Sequence, residues 1–250
     1  MTTDAVAVAG SGPAPRIELL SSFALGGRRR PLGGLGEILL ARLALAGGQR
    51  VRRDTLITDL GLADRADPRA GLRTLIWRAN CAAGYPAVAA DRSHAWLAAE
   101  VAVDLGHYSR WCHRVITESA AGEFLVQEPP SAIFSLHKPL LPDWSAAWLD
   151  GYQEHWDVLR YECLELLTAA LLSANNPASA LVHAHRLTQQ DPLRESAWRL
   201  LITAEIRHGR PGRAAARLDA LTAVLGAELG VTPSSALRDL ITGSNGGPSL

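Results

Sequence analysis

The stretch DPRAGLRTLIWRANCAAG, residues 67–84, carries its own start and stop signals. Asp67 is placed to cap the first free amides of a helix, and Pro68 stands where a helix needs no donor. Gly84 is a stop signal. Between them Leu72, Leu75, Ile76 and Ala79 recur at helical spacing and define one apolar face. The other side shows Arg69, Arg73, Thr74, Trp77 and Arg78, with no acid after Asp67. A short helix with an apolar back and an Arg/Thr front fits a DNA groove.

The neighbouring sequence predicts what holds this helix. Residues 36–46, GEILLARLALA, predict an apolar helix stopped by Gly47-Gly48. Residues 50–53 read as a brief extended piece. Asp54 is expected to cap a second helix over 55–60, ended by Gly61. Three helices with tight turns, the third amphipathic and basic, make a helix-turn-helix arrangement. After it, residues 87–90 and 95–99 flank the polar tip Asp91-Arg92-Ser93-His94, a β-hairpin that would be the wing of a winged helix. Residues 101–105 are expected to close the same sheet. Upstream, residues 16–25 and 28–32 predict two strands around Gly26-Gly27. Arg28, Arg29 and Arg30 fit either phosphate contact or a solvated hairpin edge. The first 15 residues read as a disordered lead-in.

The 250 residues allow one or two domains, each with its own core. Net charge is zero, but residues 1–100 hold 13 Arg or Lys against 9 Asp or Glu, and residues 101–250 hold 12 against 16. A basic N-terminal part and an acidic C-terminal part suggest two jobs. Lys138 is the only lysine. Arg is the better reader of phosphates and guanine edges, although a GC-rich genome gives the same bias. Cys81, Cys112 and Cys163 stand far apart with no CxxC, so neither a zinc site nor a redox pair is indicated. An odd cysteine count, no signal peptide and no long apolar run point to the cytoplasm, with the protein on the nucleoid when bound to DNA.

Residues 106–142 read as a connector. A helix is expected from His107, and then Glu118, Glu123, Glu128 and four prolines mark an acidic, proline-rich passage. Phe124, Ile133, Phe134 and Leu136 indicate that it packs. From Trp144 onward the pattern is helical, and it repeats. A shift of 34 residues aligns Leu166 with Leu200, Leu167 with Leu201, Ala170 with Ala204 and Pro177 with Pro211. It also aligns Ala180 with Ala214, Leu187 with Leu221 and Thr188 with Thr222. This is the tetratricopeptide period, with a proline opening the second helix of each pair. Two such units need caps, expected in residues 144–174 and 234–241. The predicted fold is mainly α with a small β component. A winged helix-turn-helix DNA-binding domain spans 16–105, and a tetratricopeptide-like array spans 143–243 with a tail at 244–250.

On these residues the chain resembles the Streptomyces antibiotic regulatory protein (SARP) family, whose members join a winged helix to a bacterial transcriptional activation domain. The segments LLARLALAGGQRVRRDTLITDL (39–60) and GLRTLIWRAN (71–80) carry the resemblance in the first part. The segments LLPDWSAAWLD (140–150), DPLRESAWRLLITAEIRHGRPGRAAARL (191–218) and ELGVTPSSALRDL (228–240) carry it in the second. The resemblance implies a sequence-specific activator of a secondary-metabolite (antibiotic) gene cluster. Such a protein binds direct repeats of double-stranded DNA near a promoter and helps recruit RNA polymerase through its sigma or alpha subunit, with protomers pairing as a homodimer on repeated half-sites. It implies base-reading roles for Arg69, Arg73, Thr74 and Arg78, and phosphate contacts for Arg53, Thr55 and Arg92. Trp77 is expected to pack under the wing near Trp96 or to lie against a DNA sugar. The family's basic run at the end of this helix is replaced here by Ala79-Asn80-Cys81.

His107, Cys112 and His113 are wrongly spaced for one helical face, and His183 and His185 diverge, so no metal is expected. The carboxylates have no nucleophile, phosphate loop or oxyanion motif beside them, so neither an enzyme nor a cofactor is expected. The other reading is a protein-interaction scaffold using the helical array, with a degenerate winged helix.

Overall fold

Apolar periodicity decides where the helices of this chain lie, and glycine, proline and asparagine decide where they stop. The computed structural model describes residues 15–26, 32–120 and 130–244. In chain order these carry β1 (Arg16–Glu18), β2 (Ala24–Leu25), α1 (Gly34–Leu45), β3 (Val51–Arg52), α2 (Arg53–Asp59), α3 (Pro68–Ala83), β4 (Val88–Ala90), β5 (His94–Leu97), β6 (Ala102–Val103) and α4 (Asp104–Ala120). Then follow α5 (Pro130–Leu136), α6 (Ala147–Ser173), α7 (Pro177–Gln190), α8 (Glu195–Arg207), α9 (Pro211–Leu229) and α10 (Ser235–Ser244). The chain divides into two bodies, Met1–Arg110 with Lys138–Asp157, and Trp111–His137 with Val158–Leu250.

In the first body α1, α2 and α3 pack together, with Leu39, Leu43, Leu56, Leu72 and Ile76 buried among them. Each such leucine contributes roughly 1.5–3 kcal/mol on burial. One antiparallel sheet has the order β3-β5-β4, and β4–β5 is the expected wing hairpin, pairing Val88 with Leu97 and Ala90 with Ala95. The other sheet has the order β2-β1-β6.

This second sheet corrects two expectations. Residues 16–25 are a complete hairpin, with Ile17 opposite Leu25, because Ser21 takes a positive φ of 75° and turns the chain without a glycine. The strand expected at 28–32, with Arg28, Arg29 and Arg30, lies outside the described residues save for Leu32. Residues 102–103 do not extend the wing; they pair in parallel with β1, Ile17 beside Val103. Asp104 secures that join from a buried position. Its carboxylate accepts the amides of Leu19 (2.9 Å), Leu20 (3.1 Å) and Leu105 (2.6 Å).

Residues 138–157 complete the first body. Leu20 bridges to Leu140, the Ser21 amide donates to the Pro139 carbonyl at 2.7 Å, and the Leu141 amide donates to that of Leu19 at 3.1 Å. Phe23 stacks on Trp144 with centroids 5.9 Å apart. Arg42 pairs with Asp59 at 2.8 Å in a largely buried setting and lies against the rings of Trp148 and Tyr152.

In the second body the 34-residue repeat is visible in the geometry. Pro177 and Pro211 each occupy the first turn of a helix, α7 and α9. The turns before them match: Asn175 (φ 57°) and Gly209 (φ 74°) are 34 residues apart and both left-handed. Ala180, Ala184, Ala204 and Ala214 are fully buried, and these short side chains let the helices come close. Ala184, Trp198, Leu201, Ile202, Leu221 and Leu225 form one core, and Leu237 of α10 closes it, as the expected cap does. Glu195 holds the segment leading into α10 by accepting from the amide and hydroxyl of Ser234. The expected connector contributes two helices, most of α4 and α5; Ile133 and Leu136 are buried there, while Glu123, Phe124 and Glu128 fall outside the described residues.

Candidate nucleic-acid interface

The site is built on α3. Asp67 caps it as the sequence predicts: its Oδ1 accepts the Ala70 amide at 2.8 Å, with Pro68 in the first turn. Gly84 ends it at φ 64°, a left-handed conformation that glycine adopts without strain. The apolar back of α3 is buried through Leu72, Ile76, Ala79, Ala82 and Ala83. Arg69, Arg73, Thr74, Trp77 and Arg78 all lie exposed on the outward side.

Asp54 departs from its expected place. α2 begins at Arg53, with Arg52 at the cap position, so Asp54 sits in the first turn. There its carboxylate meets Arg52 at 3.6 Å and Arg69 of α3 at 3.5 Å. Arg73 in turn lies 3.9 Å from Asp67. All five side chains are well exposed. Exposed pairs of this kind contribute only about 0–1 kcal/mol, so a phosphate or base edge displaces them at little cost. Arg78 meets no carboxylate among the described residues. Thr74 donates its hydroxyl to the Ala70 carbonyl at 3.0 Å, which leaves the hydroxyl oxygen as an acceptor and the methyl group as an apolar contact.

The flanks of α3 are held firmly. The half-buried Arg53 donates its amide to the Ser93 carbonyl at 2.8 Å, tying the start of α2 to the tip of the wing. Its guanidinium Nε is buried without a hydrogen-bond partner. Thr55, two residues further on, is exposed. At the wing tip, Asp91 Oδ1 accepts the amides of Ser93 (2.8 Å) and His94 (2.7 Å), and these bonds hold its carboxyl below the usual range. Arg92 projects exposed from that turn. Arg50 braces the hairpin, 3.2 Å from Asp91 and stacked 4.3 Å above the ring of Trp96.

Two residues read differently in three dimensions. Trp77 does not pack near Trp96 under the wing: it is 56% exposed, and Trp96 is covered by Arg50 instead. Asn80 carries no signal in the sequence beyond standing where a basic run was expected. Its side-chain amide binds the backbone of Val88 in β4 at both ends, at 3.0 and 2.8 Å, and so joins the reading helix to the wing. Among the described residues no cluster of three or more His, Cys, Asp or Glu is placed to hold a metal ion. No described helix is long and apolar enough to cross a membrane.

Helix-turn-helix, wing and stacked helical pairs together define a two-part chain, a winged helix followed by a tetratricopeptide-like array. Residues 130–243 match the sequence model of the bacterial transcriptional activator domain. The chain is also similar to the solved structure of Mycobacterium tuberculosis EmbR in complex with a low affinity phosphopeptide, with a TM-score of 0.69 and 21% identity. That match covers 94% of this chain and 66% of EmbR, so the chain spans just under two thirds of that protein's length, and the likeness shows a shared fold. No curated protein sequence matches the chain. The domain match and the shared fold agree with the two-part layout that the resemblance to the SARP family implies.

Proposed function

We propose that the chain is a sequence-specific DNA-binding transcriptional activator of a secondary-metabolite gene cluster. The observation that carries this reading is α3 itself, a capped helix with a buried back and an exposed Arg69, Arg73, Thr74, Trp77 and Arg78 front, flanked by a wing. Arg73 and Arg78 read base edges, with Arg69 and Thr74 beside them, and Trp77 lies against a sugar. Arg53, Thr55 and Arg92 contact phosphates and fix the register. The winged helix is built on 16–105, with residues 138–157 packed into the same body, and the helical array within 143–243 meets RNA polymerase through its sigma or alpha subunit. Protomers pair on direct repeats near the promoter. The protein works in the cytoplasm, on the nucleoid.

The test is a mobility-shift titration of the full chain on promoters of the gene cluster that encodes it, at several salt concentrations. Retention that falls steeply with salt is expected. No retention on any of these promoters at low salt would overturn the reading.

A further inference from the structure

A cavity of about 660 Å³ opens along the flank of α3 opposite Asn80 and the wing. This volume lies within the range of small-molecule sites. Leu32, Leu62, Leu75 and Ala82 line its apolar wall. Gly36 lets Leu32 lie flat against α1, because a Cβ there would stand 2.5 Å from a Leu32 methyl. Arg65 passes beside Gly71, its Cδ 3.7 Å from the point a Cβ would occupy, an ordinary contact distance. Trp77 stands at the mouth with more than half its surface uncovered.

The charge of the lining is one-sided. Among the described residues Arg65 and Arg78 are the only charged ones in the lining, and neither meets a carboxylate there. Gly34 and Leu35, in the uncapped first turn of α1, also line the wall and add amides of the same polarity. An indole face, an apolar wall and two guanidinium groups without counter-ions complement a flat aromatic ring that bears an anionic group.

We propose that this cavity binds a flat aromatic carboxylate, with the ring on Trp77 and the carboxylate between Arg65 and Arg78. Because Thr74, Trp77 and Arg78 belong to both surfaces, the ligand competes with DNA. The competition rests on the DNA-binding reading above, whereas the binding does not.

The experiment is a calorimetric titration of the full chain with 2-naphthoate and, separately, with its neutral isostere 2-naphthamide, in the absence of DNA. Saturable one-to-one binding of naphthoate is expected, with the amide at least tenfold weaker. Trp77→Ala and Arg78→Ala should each weaken naphthoate at least tenfold, and Arg92→Ala on the wing should leave it unchanged. Far-UV circular dichroism checks that these surface variants are folded. No saturable heat below about 1 mM, equal binding of acid and amide, or binding indifferent to both Trp77→Ala and Arg78→Ala would overturn the site. Where promoter DNA is retained, saturating naphthoate should release it; retention unaffected by bound naphthoate overturns the competition. A chain that binds naphthoate but no DNA fails the earlier reading and keeps this one.

Discussion

The side chain of Asn80 and the backbone of Val88 hold each other by two hydrogen bonds, the amide nitrogen donating at 3.0 Å and the amide oxygen accepting at 2.8 Å. Asn80 acts there as a short strand partner for β4, so the orientation of the wing is set by the last turn of α3. Asn80→Ala leaves the Val88 amide and carbonyl without these partners in a half-buried place. A loss of about 1–3 kcal/mol in stability is expected, read from the urea midpoint. Asn80→Asp keeps the acceptor but sets a carboxylate oxygen against the Val88 carbonyl, so it should cost at least as much. An Ala variant as stable as the parent would remove the brace from this account.

Asp54 lies between Arg52 and Arg69. Asp54→Asn removes the carboxylate that competes with phosphate for both. DNA affinity should rise, and the slope of log K against log salt should steepen by about one unit if one more phosphate is engaged. Stability should change by less than about 0.5 kcal/mol, because the pairs are exposed. Unchanged affinity and slope would mean that Asp54 holds neither Arg52 nor Arg69 back from DNA.

Base-reading and phosphate-contacting residues are separable by experiment. Arg73→Ala and Arg78→Ala should each reduce discrimination between operator and altered operator by about 1–3 kcal/mol. Arg92→Ala at the wing tip should weaken all sequences alike. Competition shift assays on a panel of altered sites distinguish the two patterns.

The second body contains a pH-sensitive pair. His137 and His183 lie parallel, with Nε2 of one 3.1 Å from Nδ1 of the other, and both are buried. Gln190 Oε1, 3.3 Å from His137 Nδ1, is suited to accept from it, and His137 Nε2 then accepts from His183. Burial lowers both pKa values, that of His137 to about 4. The native state therefore keeps both rings neutral. An unfolded histidine titrates near 6.5, so the unfolded chain takes up protons first as pH falls. The contribution of the pair is complete above about pH 6.5 and drains away toward pH 4, by on the order of 3 kcal/mol for His137. Urea midpoints measured between pH 7 and pH 4.5 should show this decline, and His137→Gln should flatten it.

The matched turns of the repeat give a backbone prediction. Nothing crowds a Cβ at Gly209, so Gly209→Ala meets only the left-handed backbone, at a cost of about 1–2 kcal/mol. Gly209→Asn, which copies Asn175 from the preceding unit, should cost less. Thermal unfolding of the two variants checks the order.

Much of α3 was legible because its signals are local. Asp67, Pro68, Gly84 and the apolar spacing lie within one turn of what they control, and the proline-led helices of the repeat are equally local. What was not legible is non-local. The hairpin of residues 16–25 turns at Ser21, a residue type that does not announce a left-handed turn. Residues 102–103 pair with a strand 86 positions earlier, which alternation cannot encode. Asp54 looked like a cap because capping residues are recognised by type, and the helix begins two residues sooner. Asn80, Arg65 and His137 acquire their roles from partners that only the fold brings to them.

The exchange of hydrogen bonds between residues 19–21 and residues 139–141 has a practical bearing on how this protein can be cut. The winged-helix body is not a single run of sequence, so a clone ending between residues 110 and 137 would omit a piece of it. Such a fragment would leave Leu20 without its bridge to Leu140 and Arg42 without Tyr152. Domain swaps and reporter fusions that treat the N-terminal segment as a transferable cassette should therefore carry residues 138–157 with it, or keep the chain whole.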